Sequence, residues 1–320
     1  MINFKEIFHE ILNIKGDLWI AFLLAAVVVI SNIVILALRY KIILGFLGEK
    51  INLFYSFNIS CSAQFISLIS PFKVGLIVTK PFITKAVSQI SFKKSTLASV
   101  FEQSYDITWE IIILPLLIYI IGKEYFNGTV LSNIAIFVIL LVGGILIIIN
   151  LKRVIGVLWR IKFLVPKFIR DFLKRKNVSK ENILKWIKKS KSYLANKKMF
   201  IIITIITSIV LILSPLNLKI YLIYFGYNIP YHLVLAGFWA SAIIGRLSGL
   251  PMGVGARDLS LGAILIALGV TLPDSIKIVI FVRLTIIITV TLFGSLFLGY
   301  NSRKIKDFWE IIKKKKTSEI

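Results

Sequence analysis

The sequence predicts an all-α polytopic membrane protein, built as an inverted-topology repeat whose halves each carry a re-entrant or short broken helical hairpin. Three observations lead there. Hydrophobic residues make up 58% of the chain and mean hydropathy is +0.88, above the apolar share of a soluble domain. Stretches at 18–38, 96–121, 129–150, 201–225 and 275–299 are each long enough to cross about 30 Å of hydrocarbon as helix. Two Pro-x-x-Val-Gly elements, at Pro71 to Gly75 and at Pro251 to Gly255, lie 180 residues apart. The same offset pairs Ser91 with Thr271, Ser95 with Ser275 and Phe101 with Phe281. Matching Gly/Pro breaks in two halves of a membrane protein point to a binding site near the bilayer midplane.

In chain order, the span 18–38 is too long for a signal-peptide core. Glu6, Glu10 and Asp17 precede it and no small-residue cleavage pattern follows, so it is expected to stay in the protein. Residues 39–50, with Arg39, Lys41 and Lys50, belong on the cytoplasmic side. The hairpin near 55–88 consists of two apolar pieces meeting at Pro71, each about fifteen residues and too short for a comfortable span. It is expected to enter from the cytoplasm. Lys93 and Lys94 then lie inside, 96–121 runs outward and 129–150 returns. The first transmembrane half is thus 1–150.

A basic, amphipathic cytoplasmic linker follows at 151–200. There Ile183, Ile187 and Leu194 share a helical face beside Trp186, as in a helix lying on the inner leaflet. The second half, 201–300, holds the hairpin near 232–270, broken at Pro251 and entering from outside. Residues 301–320 form a basic cytoplasmic tail. A count in which each hairpin arm crosses fully stays open. Net charge is +24, but the basic residues gather in the linker and tail beside spans, which is a topology signal and argues against nucleic acid.

Catalysis, metals and cofactors find no support. Cys61 is the sole cysteine, His9 and His232 stand far apart, and no nucleophile set or phosphate-binding loop is present. The informative residues are charges at membrane depth, which are costly and functional by default. Glu102, Asp106 and Glu110 form one stripe at i, i+4 and i+8. The matching helix 275–299 carries Arg283, and around the breaks lie Lys73, Lys80, Lys85, Arg246, Arg257 and Asp258. Part of this set is expected to pair, for example Glu102 or Asp106 with Arg283 or Arg257, and Lys80 and Lys85 to snorkel to the inner surface.

The positive surplus suits an anionic ligand, and arginine's planar fork suits phosphate. Lys73, Arg246, Arg257 and Arg283 are the candidate head-group contacts. Glu102, Asp106 and Asp258 would orient those bases or carry coupling protons. Gly253 and Gly255 permit close backbone approach and lead into a helix near Arg257, whose free N–H groups would favour an anion; Gly75 would serve likewise in the first half.

At these residues the chain resembles the flippase-like family that shares the transmembrane region of lysylphosphatidylglycerol synthases, over nearly its whole length. Residues 251–258 read Pro-Met-Gly-Val-Gly-Ala-Arg-Asp against the family's Pro-Gly-Gly-(Ile/Val)-Gly-x-Arg-Glu. Pro71, Lys73 and Gly75 match its Pro-x-(Arg/Lys)-x-Gly-Glu, with Leu76 in place of the acid. Glu102 and Asp106 match its Glu-Arg-x-x-Asp, with Gln103 for arginine. The resemblance implies an inner-membrane protein that moves, or helps move, a lipid with a charged head group between leaflets. It does not imply aminoacyl-lipid synthesis, which sits in a soluble domain that this sequence does not contain.

The leading expectation is a flippase-like transporter of an anionic phospholipid, glycolipid or polyprenyl-phosphate-linked sugar, with no cofactor. A secondary transporter of a small organic anion is the second. The third is a non-transporting accessory subunit whose 151–198 segment docks a cytosolic lipid-modifying enzyme or glycosyltransferase. Oligomeric state stays open, a homo-oligomer included.

Overall fold

The computed structural model describes residues 16–70, 74–125, 196–307 and 310. It is all-helical, with no strand among the described residues. Nine α-helices are used below: α1 (Gly16–Phe46), α2 (Leu53–Ser67), α3 (Val74–Ser88), α4 (Phe92–Tyr125), α5 (Lys197–Leu213), α6 (Leu216–Tyr224), α7 (Tyr231–Leu247), α8 (Ala256–Ala267) and α9 (Leu272–Tyr300). Asp17–Phe46, Lys197–Tyr224 and Leu272–Tyr300 are long and apolar enough to cross a membrane, as expected at 18–38, 201–225 and 275–299. The expected span 129–150, the linker helix with Ile183, Ile187 and Leu194, and most of the tail lie outside the described residues.

The chain divides into two compact units, residues 1–106 with 203–320, and residues 107–202. The first carries everything discussed below and combines helices from both sequence halves. In the second, the described residues are the end of α4 and the start of α5, where Glu110 is buried.

Helix α1 shows how such a unit reads in sequence. Leu18, Ala21, Ala25, Val29, Ile33, Ala37, Tyr40 and Leu44 recur every three or four residues and are all buried, one helical face turned to the protein. The other face exposes Trp19, Ile20, Leu23, Leu24 and Val27. A continuous apolar outer face of this kind belongs against lipid. Arg39 corrects the expected end of this span. The helix runs on to Phe46 and Arg39 is 1% exposed, because acidic partners on α4 accept its charge.

The second break falls at its Pro-Gly element, between α7 and α8; of the first element, residues 71–73 lie outside the described residues and Gly75 is already within α3. Helices α2 and α3 have 15 residues each, about 22 Å at 1.5 Å per residue and short of a 30 Å core. They pack on each other, as α7 and α8 do around the second break. Asn52 starts α2 by accepting the Phe54 N–H, a side-chain N-cap.

The 180-residue offset is visible as repeated local structure. Helix α4 begins at Phe92 and α9 at Leu272. Ser91 accepts the Lys94 N–H at 3.3 Å, and Thr271 accepts the Asp274 N–H at 3.4 Å. Ser95 donates to Phe92 O at 3.0 Å, and Ser275 to Leu272 O at 3.0 Å. Phe101 and Phe281 are both buried. Residues matched by offset therefore cap and pack their helices alike.

Gly294 couples the halves. It lies where α9 meets α2, and an added Cβ would collide with the Phe65 side chain and lie 2.9 Å from Cys61 O. Gly294→Leu is expected to overpack this contact and destabilise the protein by about 1–3 kcal/mol, seen as a lower Tm in detergent.

Candidate functional site

Three buried charges of the first half, Arg39, Lys80 and Glu102, and the half-buried Asp106 pair with one another. Arg39 Nη1 meets Asp106 Oδ1 at 2.6 Å and Nη2 donates to Oδ2 at 3.1 Å, a two-pronged fork. The same guanidinium donates to Thr207 Oγ1 at 3.2 Å and places Nε 3.5 Å from Glu102 Oε1. Lys80 Nζ donates to Glu102 Oε2 at 2.5 Å and lies 4.2 Å from the centre of the Tyr40 ring. Two bases thus face two acids with little solvent access.

This corrects two expectations. Glu102 and Asp106 pair with Arg39 and Lys80, not with Arg257 or Arg283. Lys80 does not snorkel, because Glu102 lies within reach one helix away; Lys85 instead donates to Gln89 O at its helix end. Within this cluster two bases balance two acids, which leaves no positive surplus among these four side chains.

At the second break, Arg283 reaches from α9 to Asp258 on α8. Nε to Oδ1 is 2.6 Å, Nη2 to Oδ2 is 3.1 Å, and Nη1 donates to Met252 O at 3.1 Å. Each of its three nitrogens donates within the protein, so Arg283 holds the break in place. Asp258 also accepts the Gly255 N–H at 3.0 Å. Its carboxylate occupies the start of α8, satisfying the donor and the helix dipole that were expected to serve a ligand. The N–H groups of Gly253 and Val254 are also used, on Leu250 O and Pro251 O.

Glycine at 253 has a packing reason. It has φ +66, and a Cβ there would lie 2.7 Å from Gly245 Cα; a Cβ on Gly245 would lie 2.6 Å from Arg257 Cβ. The two glycines let the break and the start of α8 lie directly on α7. Met252 adopts φ 53 in the same turn, a left-handed conformation that costs a side-chain-bearing residue about 1–2 kcal/mol. Met252→Gly is therefore expected to raise stability by about 1 kcal/mol after its own chain-entropy cost, measured as Tm of the purified protein.

These contacts place Arg257 at a cavity of about 200 Å³. Its walls come from both sequence halves. Arg246, Arg257, Asn32, Gln64, Ser214 and Asn217 supply polar groups, while Val29, Ile33, Phe238 and Ile286 are among the apolar ones. The Arg257 guanidinium carbon lies 4.8 Å from the centre of the Phe238 ring. Among the described residues no acid comes within 4 Å of Arg257, since neighbouring Asp258 is held by Arg283. The cavity wall therefore carries a cation with no acid within 4 Å among the described residues.

Of the sequence-selected residues, Arg246, Gly253 and Arg257 line this cavity. Asp258, Arg283 and Gly255 stand behind it, Glu102 and Asp106 belong to the separate neutral cluster, Gly75 lies within α3, and Lys73 is outside the described residues. Asn32, Gln64 and Asn217 were not singled out from sequence; their one signal was an amide set in an apolar helix.

A family model described as the lysylphosphatidylglycerol synthase TM region matches residues 2–294. No match is found among curated proteins or among solved structures.

Proposed function

Because this chain belongs to the lysylphosphatidylglycerol synthase TM region family, a membrane family linked to lipid handling, we propose that it moves an anionic lipid between the leaflets of the cell membrane. The lipid is an anionic phospholipid, a glycolipid or a polyprenyl-phosphate-linked sugar. The activity is transport and not catalysis. In this reading the two broken hairpins enter from opposite faces, and 151–198 and the C-terminus are cytoplasmic.

The observation that carries the reading is a cavity whose positive wall continues into apolar surface. Arg257 and Arg246 face it, and Leu250, also on its lining, is 51% exposed. Leu247, Val254 and Leu259, close by in the same segment, are exposed as well. A ligand with a negative head and apolar tails fits that combination, the head inside and the chains along the outer face. A small soluble anion has no use for the apolar rim. The test is translocation in liposomes with a panel of head-group-labelled or fluorescent anionic lipids. Protein-dependent acceleration of at least one is expected; no acceleration of any would overturn the proposal.

A further inference from the structure

Proline interrupts one of the membrane spans beside the cavity. Lys197–Tyr224 is long and apolar enough to cross as one span, yet α5 stops at Leu213 and α6 starts at Leu216, with Pro215 between them. Proline has no N–H, so Leu211 O lacks the donor that a continuous helix would give it from position 215. A carbonyl freed inside a membrane has to be taken up by a neighbour. Helix α7 supplies the donors. Trp239 Nε1 donates to Leu211 O at 2.8 Å, and the Tyr231 hydroxyl donates to Ile212 O. Ser214 Oγ donates to Val210 O at 2.7 Å on the same turn.

Beyond the break, α6 is fixed to the protein. It packs on α1, α7 and α9, the Tyr221 ring stacks on Phe281 with centroids 5.7 Å apart, and the Tyr221 hydroxyl meets Thr285 Oγ1 at 2.5 Å. Before the break, single side-chain bonds from α7 hold the last turn of α5. Trp239 also lines the cavity, as do Ser214 and Ala242, so the indole that bonds Leu211 O forms part of the wall between α5 and α7. Ile212, whose carbonyl Tyr231 takes, is 57% exposed, which turns this seam toward lipid. We propose that the α5–α7 seam is a lateral gate of the cavity. Breaking the Trp239–Leu211 and Tyr231–Ile212 bonds lets residues 203–213 pivot at Pro215 and opens the cavity to the bilayer. Opening gives up two side-chain bonds and none of the backbone bonds within α5, so its cost is small. The gate governs access to the cavity and does not depend on the occupant crossing the membrane.

Ala242, on the cavity wall one turn on from Trp239, reports access when replaced by cysteine. The full chain with Ala242→Cys is placed in nanodiscs and its thiol-labelling rate read by intact-mass spectrometry. Two reagents are used, N-ethylmaleimide, which partitions into lipid, and the membrane-impermeant sulfonatoethyl methanethiosulfonate. Protein with Cys61 alone gives the background, since that thiol is buried. Adding Trp239→Phe, which keeps a ring and deletes the N–H, is expected to speed N-ethylmaleimide labelling about tenfold, the worth of one hydrogen bond, and to leave the sulfonate rate unchanged. Adding Pro215→Ala, which returns a backbone donor to Leu211 O, should slow labelling below the starting rate and cancel the effect of Trp239→Phe. An unchanged N-ethylmaleimide rate in Trp239→Phe, whatever its Tm, reduces these bonds to helix packing and overturns the gate. Equal acceleration with the sulfonate places the opening toward water and overturns it too. If Pro215→Ala does not fold, the Trp239→Phe comparison decides alone. A responsive gate in a protein that translocates no lipid in liposomes upholds the gate and sinks the transport reading; translocation with an unresponsive gate does the reverse.

Discussion

Arg257→Ala abolishes protein-dependent lipid translocation while the ligand-free protein keeps its fold. The first half of that result follows from chemistry. Charge-assisted hydrogen bonds to an arginine fork are worth about 1.5–3 kcal/mol, so head-group affinity should fall about tenfold to a hundredfold. The second half follows from the partners Arg257 lacks. With Asp258 held by Arg283 at 2.6 Å, removing Arg257 strands no carboxylate. The loss of its contact with Phe238 should cost under about 1 kcal/mol. Arg257→Lys keeps the charge without the fork and should recover part of the rate. Arg283→Ala is the contrasting control, since it leaves Asp258 unpaired and frees the break, and it should lower Tm as well as rate. Liposome translocation rates beside Tm values of the same preparations separate the two behaviours. A wild-type rate in Arg257→Ala would remove this residue from the site.

Glu102→Leu produces the largest stability loss of any single change considered. Its carboxylate is 2% exposed and touches both Lys80 and Arg39. Without it, Lys80 is left buried beside another cation with no acid of its own. Breaking a buried pair by removing one partner costs about 3–5 kcal/mol, a large part of a membrane domain's margin. Removing both ends should behave differently. Lys80→Met combined with Glu102→Leu takes the uncompensated charge away and should recover most of the loss. Denaturant titration of the two single variants and the double variant gives the coupling. If the single losses simply add in the double variant, the four charges do not act as a closed cluster.

Much of the fold was legible because its signals are local. The spans are apolar runs, the breaks are Pro and Gly within them, and Ser91 and Thr271 are recognisable helix starts. The pairing of charges was not legible, because it depends on which helices meet. Arg39 reads as a residue at the cytoplasmic edge until α4 supplies Asp106. Asp258 reads as one more ligand-orienting acid until Arg283 and the Gly255 N–H are seen on its two oxygens. That same pairing leaves Arg257, among the described residues, with no acid within 4 Å, which counting bases against acids could not single out. The repeat was half legible: its offset reads directly from residues, while opposite membrane orientation of its halves belongs to the proposal.

The most direct test of the central claim is an experimental structure of the protein in nanodiscs rich in an anionic phospholipid. The account predicts phosphate density within hydrogen-bond distance of the Arg257 guanidinium, with the lipid's chains leaving past Leu250. A sealed, dry cavity in which Arg257 is bound to a carboxylate of the protein itself would contradict it.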